Sequence, residues 1–162
     1  MVCKNFDELE KVLKDKIENA MLTEVSDVVD EAILEHVQTD VYDVYNPVEY
    51  QRRYDNGGLG DRANLFTSIE TKGNTIEMQT DNLTKGNLYH RDGDKIRKSR
   101  NAKRFLANIV ESGQGYQHPF DYYGVPRPFM KNTVEQLQED KWHVGALQVG
   151  LVKQGIEVKR NG

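Results

Sequence analysis

The first 46 residues contain neither proline nor glycine. Within that stretch apolar side chains recur at Phe6, Leu9, Leu13, Ile17, Met21, Val25, Val28, Ala32 and Val37, at steps of three, four or five. That spacing lays one apolar stripe along a helix, and Val12, Ala20, Val29 and Ile33 widen it. It predicts a long amphipathic helix over residues 5–38, roughly 50 Å at 1.5 Å per residue. Asn5 is a good N-cap, with Glu8 three positions on in a capping-box arrangement. Asp7, Glu8 and Glu10 follow in the first turn, where the helix dipole favours acids. Thr23, Ser26 and the β-branched Val25, Val28 and Val29 weaken the middle, so a break or bend is expected there.

Charge divides the chain more than its net value of −4 conveys. Residues 1–40 hold eleven acids and four lysines. Residues 85–104 hold eight basic residues (Lys85, Arg91, Lys95, Arg97, Lys98, Arg100, Lys103 and Arg104) against two acids. An acidic segment and a basic segment in one molecule suit heterologous contact between copies; the basic run also suits phosphates or an acidic partner. Only 37% of residues are apolar and 30% are charged, below the usual apolar share of about 45–50%. No apolar run approaches the length of a membrane span, so no membrane contact is expected. The acidic start is unlike a secretory signal. Cys3, the single cysteine, cannot close an internal disulfide, and a reducing compartment is expected.

At 162 residues the chain reads as one domain, 1–162. After the helix, residues 41–62 form a loop rich in tyrosine, arginine and glycine, with Tyr42, Tyr45, Tyr50 and Tyr54 around Pro47 and Arg52-Arg53. Gly57-Gly58 and Gly60 mark a tight turn. Residues 64–80 alternate as a hairpin turning at Lys72-Gly73-Asn74. Residues 84–104 are the basic loop, expected to be a long excursion. From 105 to 158 a short helix stopped by Gly113 leads to a proline-rich segment, a helix over 131–153 and a last strand at 156–158. The helix is expected to bury Leu137, Trp142 or Val144, Leu147 and Leu151. The order predicts an α+β fold: a small antiparallel sheet covered by helices, with a long N-terminal amphipathic helix.

No constellation carries chemistry. The glycines of 57–61 lack both a P-loop lysine and a strand–helix context. Asp92-Gly93-Asp94 lacks the rest of a calcium loop. His90 and Asp92 have no metal-binding companion, and His36, His118 and His143 stand apart. No catalytic residue, metal or cofactor is expected.

Four strings nevertheless occur in a familiar order: VYDVYNPVEYQRRYDNGGLGD, LANIVESGQGY, PRPFMKNTVEQL and ALQVGLVKQGIEV. Together they resemble the minor tail and tail-completion (head–tail joining) proteins of long-tailed bacteriophages. Tyr42, Tyr45, Pro47, Tyr50, Arg52 and Arg53 match the first motif; Val110, Glu111, Gly113 and Tyr116 approximate the second. Pro126, Arg127, Pro128 and Phe129 match the third, and Gly150, Leu151, Gly155 and Ile156 the fourth. The basic segment 84–104 lies outside the resemblance.

The resemblance implies a structural protein of the virion neck, present in the host cytoplasm during assembly. It implies a homo-oligomeric, usually hexameric, ring joining the tail tube protein to the head-connector or head-closure protein, in contact with passing genomic DNA. Tyr42, Tyr45, Pro47, Tyr50, Arg52, Arg53, Arg127 and Phe129 become the expected interface residues. Replacing both Arg52 and Arg53 is then expected to impair assembly and leave the monomer folded. Two alternatives remain: a phage nucleic-acid-binding or inhibitory module using residues 85–104, and a small hydrolase or nuclease.

Overall fold

A computed structural model describes residues 4–47, 51–86, 89–92, 95–98, 105–116 and 122–158, with the backbone alone for 89–92 and 95–98. Tyr50, Arg100, Lys103, Arg104, Cys3 and His118 lie outside the described residues. The class is α+β. A long helical segment runs from Phe6 to Tyr42 as α1 (Phe6–Ala20), a π-type turn (Met21–Val25), α2 (Ser26–His36) and a second π-type turn (Val37–Tyr42). Then come the hairpin β1 (Leu65–Lys72) and β2 (Thr75–Asn82), a second hairpin β3 (Tyr89–Asp92) and β4 (Lys95–Lys98), and helices α3 (Leu106–Ser112), α4 (Phe129–Asp140) and α5 (Trp142–Lys153). Each sheet is two-stranded.

The helix start follows its sequence signal closely. Asn5 caps α1, its side-chain oxygen accepting from the Glu8 amide at 2.8 Å. The Glu8 carboxylate reaches back one residue further than a capping box requires, to the Lys4 amide at 2.7 Å. The break expected in the middle is the π-type turn at Met21–Val25. There the Thr23 hydroxyl donates to the Asn19 carbonyl at 2.8 Å and the Ser26 hydroxyl to the Leu22 carbonyl at 2.7 Å, competing with the ladder that would keep the helix regular.

The chain divides into two compact units. The first comprises residues 1–31, 67–80 and 136–162. Its core is α5 laid on α1 and the π-type turn, with Ala20 and Val25 buried and Gly150 packed directly on Ala20. Polar contacts pin the end of α5: Lys16 Nζ donates to the Gln154 carbonyl, Gln154 Nε2 donates to the Lys16 carbonyl at 2.9 Å, and Lys153 pairs with Glu24 at 2.8 Å. The hairpin adds a Thr67–Thr80 hydroxyl pair at 2.8 Å and a Thr71 hydroxyl bonded to Glu18 at 2.5 Å.

The second unit comprises residues 32–66 and 81–135. Ala32, Ile33, Val37, Val41, Leu59, Ala107, Ile109, Val110 and Phe129 form its core. The turn at Gly57–Gly60 is stitched into it by buried polar side chains. Asn82 Nδ2 donates to the Leu59 carbonyl at 2.9 Å, and the Thr84 hydroxyl lies 3.0 Å from the Gly58 carbonyl and 2.6 Å from Asn82 Oδ1. A Cβ at Gly58 would meet the Tyr54 carbonyl at 2.3 Å, so the turn closes only over glycine.

Three expectations are corrected. The helix expected over 131–153 is two helices, because Lys141 adopts a left-handed conformation (φ 58°). That change of register leaves Trp142 and Val144 exposed while Leu137 is buried and Leu147 and Leu151 are half-buried. The strand expected at 156–158 is absent. Gly155 takes a positive φ of 77° and the Ile156 amide donates back to the Leu151 carbonyl at 3.0 Å, a Schellman-type end that uses the amide a strand would have needed. The basic loop contains a hairpin, with Tyr89 opposite Lys98, His90 opposite Arg97, Arg91 opposite Ile96 and Asp92 opposite Lys95.

Candidate functional site

Tyr42, Tyr45, Arg52 and Tyr54 come together with Tyr116, Tyr122, Tyr123 and Arg127 in the second unit as a ladder of rings and guanidinium groups. Tyr54 meets the Tyr42 ring edge-on, centroids 4.9 Å apart. The Arg52 guanidinium lies 5.1 Å from the Tyr42 ring and 5.6 Å from the Tyr45 ring. Tyr45 contacts Tyr122 at 5.1 Å, Arg127 lies 5.8 Å from the Tyr122 ring, and Arg127 Nη2 donates to the Tyr116 hydroxyl at 2.5 Å. Tyr116 contacts Tyr123 at 6.4 Å. Cation–π contacts of this kind contribute about 0.5–2 kcal/mol each, rising as water is excluded.

The ladder is tied to backbone at several rungs. Arg52 Nη1 donates to the Tyr42 carbonyl at 2.7 Å, at the end of the long helical segment where carbonyls lack intrahelical partners. The Gly60 amide donates to the Tyr42 hydroxyl at 2.9 Å, and the Tyr122 hydroxyl donates to the Val44 carbonyl at 2.5 Å. Burial pushes the Tyr42 phenol above its ordinary pKa, against the Gly60 amide and the Arg52 charge. Arg53 points elsewhere: its Nη2 donates to the Lys85 carbonyl at 2.6 Å, beside the bridge between Lys85 and Phe105.

A second assembly locks α3 to the start of α4. The Glu111 carboxylate accepts from the Met130 amide at 3.0 Å and the Lys131 amide at 3.1 Å. It thereby fills the N-terminal positions of α4, where amides are unpaired and the dipole favours an anion. Gly113 ends α3 with φ 69°, and a Cβ there would lie 2.6 Å from the Val125 backbone. The Arg127 amide donates to the Val110 carbonyl at 3.0 Å. A third cluster centres on Asp40, which accepts from Asn132 at 2.9 Å and Thr39 at 3.0 Å and contacts His36 Nδ1 at 2.8 Å. Partial burial acts to raise the Asp40 pKa, but the bonds from Asn132, His36 and Thr39 together outweigh it and hold the carboxyl below its ordinary value.

Of the expected interface residues, Tyr42, Tyr45, Arg52 and Arg127 are brought into one ladder. Pro47 is half-buried in the same unit. Phe129 is fully buried and Arg127 is only 7% exposed, so both act inside this chain. The sequence reading named Tyr54 in the tyrosine-rich loop but did not count it among the expected interface residues, nor Tyr116, Tyr122 or Tyr123. The signal was present: residues 116–127 repeat the tyrosine-and-arginine composition of 42–54. Of the basic residues singled out, Arg91, Lys95, Arg97 and Lys98 fall on the β3–β4 hairpin. Among the described residues, no group of three or more His, Cys, Asp or Glu side chains is placed to hold a metal ion. No helix among them is long and apolar enough to cross a membrane.

Comparison with known proteins bears on the same span. The YomN family model matches residues 5–153, from the cap of α1 to the last residue of α5. Over 126 residues the chain is 34% identical to the SPbeta prophage-derived uncharacterized protein YomN of Bacillus subtilis (strain 168), covering 76% of this chain and 73% of that protein. No solved structure matches the chain. With the helical segment, the ladder and the α3–α4 lock all inside the matched region, the chain belongs to the YomN family, a phage-associated family.

Proposed function

We propose that this protein is a structural component of the phage particle at the head–tail interface. In this reading it forms a ring that joins the tail tube to the head connector and has no catalytic activity. The observation that carries the proposal is the uncovered start of α1. Phe6 is 77% exposed and Leu9 and Leu13 are exposed on the same stripe, whereas Ala20 further along it is fully buried. A soluble chain gains nothing by ordering two turns of apolar surface toward water; such a stripe suits a partner chain. The phage-associated family and the ordered tail-completion motifs support the same reading. So does the unlike charge of residues 1–40 and 85–104, because a closed ring needs two different surfaces that fit each other.

Deletion of the gene tests the proposal. Full heads and finished tails should then accumulate unjoined, and purified protein should restore joining. Infectious, fully joined particles lacking the protein would overturn it.

A second reading rests on the β3–β4 hairpin, which carries Arg91, Lys95, Arg97 and Lys98 on a paired backbone. As a nucleic-acid contact it should bind DNA at low salt and lose affinity steeply as salt rises. Undetectable binding at low salt removes it.

A further inference from the structure

The β3–β4 hairpin is a ribbon of two four-residue strands. Its register sets Tyr89 opposite Lys98, His90 opposite Arg97, Arg91 opposite Ile96 and Asp92 opposite Lys95. Residues directly opposite each other in an antiparallel pair share a face, and faces alternate along each strand. Tyr89, Arg91, Ile96 and Lys98 therefore belong to one face, and His90, Asp92, Lys95 and Arg97 to the other. The first face has two cations and no acid. The second sets its acid, Asp92, directly opposite a cation, Lys95.

The two faces suit different work. On the second, opposite charges at facing positions stabilise the pairing of the strands. On the first, Arg91 and Lys98 are diagonal neighbours about 7–8 Å apart, with a tyrosine and an isoleucine at the positions between them. Cations beside an aromatic ring are the combination that holds a nucleic-acid strand: the cations follow phosphates and the ring stacks on a base. A duplex hides the faces of its bases within the stack, so such a ring contributes most against a single strand. No described helix packs on β3 or β4 as the two strands pack on each other. A two-stranded hairpin is marginal in water by itself, so a ligand on one face would stabilise it.

We infer that the face of the ribbon with Tyr89, Arg91, Ile96 and Lys98 binds single-stranded nucleic acid, Arg91 and Lys98 contacting phosphates and Tyr89 a base. The inference rests on the second reading of the function and deepens it, naming the face that binds and the form of nucleic acid it takes. The opposite face, with Lys95 and Arg97, takes no direct part.

Fluorescence anisotropy of the purified full chain tests it, with a single-stranded DNA of about 12 nucleotides and with the duplex of the same sequence. Two double variants remove equal charge from opposite faces: Arg91→Thr with Lys98→Thr, and Lys95→Thr with Arg97→Thr. Threonine is a strand former, so both pairs keep the hairpin, and circular dichroism with the melting temperature verifies the fold. The first pair should weaken single-strand binding at least ~10-fold and reduce the salt slope of log K by about 1.4. The second should leave the slope nearly unchanged and cost about 3-fold or less, through screened charge alone. Tyr89→Val should weaken binding about 5- to 100-fold, and Tyr89→Phe should retain it, because stacking needs only the ring. The duplex should bind more weakly than the single strand. No binding at low salt overturns the nucleic-acid reading and this inference together. Equal losses from the two pairs, indifference to Tyr89→Val, or preference for the duplex overturns the inference and leaves that reading standing. Polyglutamate that competes as well as the oligonucleotide would assign the face to an acidic protein and would also overturn it.

Discussion

Gly150 of α5 sits so close to Ala20 of α1 that a methyl group added at position 150 would lie 2.7 Å from the Ala20 Cβ and 3.0 Å from Glu24 Cγ. The glycine that weakens α5 as a helix is what lets it lie against α1. Gly150→Ala should therefore destabilise the protein by about 1–3 kcal/mol, the usual cost of overpacking, despite the better helix propensity of alanine. Gly145→Ala, on the open face, should do the reverse and stabilise by up to about 1 kcal/mol. Denaturant titration of the two variants side by side checks the opposite signs.

Glu111 should act as a cap on α4 rather than as a catalytic acid. Glu111→Ala removes the acceptor for the Met130 and Lys131 amides and should cost about 1–2 kcal/mol. Glu111→Gln keeps one acceptor oxygen and should cost less. Thermal melts at matched concentration distinguish the two.

Arg52 changes the expectation attached to the arginine pair. Its bond to the Tyr42 carbonyl and its place between the Tyr42 and Tyr45 rings are internal to one chain. Arg52→Ala should cost about 1–3 kcal/mol of stability, so an assembly defect in the Arg52→Ala, Arg53→Ala double variant would not by itself reveal an interface. Arg52→Lys should not restore stability, because lysine lacks the planar fork and the stacking face. Chemical denaturation of Arg52→Ala, Arg52→Lys and Arg53→Ala separates the contributions.

Asp40 gives a pH dependence of defined sign. Its folded pKa lies below the ordinary value of 3.8, so the carboxylate stabilises the fold above that value. The contribution fades as pH falls below 3.8 and through the folded pKa. Asp40→Asn should lower stability at neutral pH and flatten the loss seen below about pH 4. Denaturation midpoints of both proteins between about pH 2 and pH 7 check this.

What the sequence made legible was mostly local. The Asn5 cap, the irregularity around Thr23 and Ser26, the hairpin turning at Gly73 and the stop at Gly113 each follow from side chains acting within a few residues. The break between α4 and α5 was not legible, because a lysine gives no sign of the left-handed backbone that Lys141 adopts. The final Ile156-Glu157-Val158 reads as a strand by alternation, yet the amide of Ile156 closes the end of α5. The tyrosine–arginine composition was plain in the sequence, but its use was not. Residues 42–54 and 116–127 are separated by more than sixty positions, and only the fold shows Tyr45 against Tyr122. Surface-forming residue types were thus enlisted inside the chain, while apolar residues such as Phe6 on α1 and Val152 on α5 are left exposed.

The central claim is that the protein joins tail to head as an oligomer. Negative-stain microscopy of the purified protein, alone and mixed with tails from particles that lack it, tests that claim most directly, with light scattering to give the mass. The account predicts rings, or added density at one end of each tail. Tails that remain bare at every protein concentration, with no ring in either sample, would contradict it.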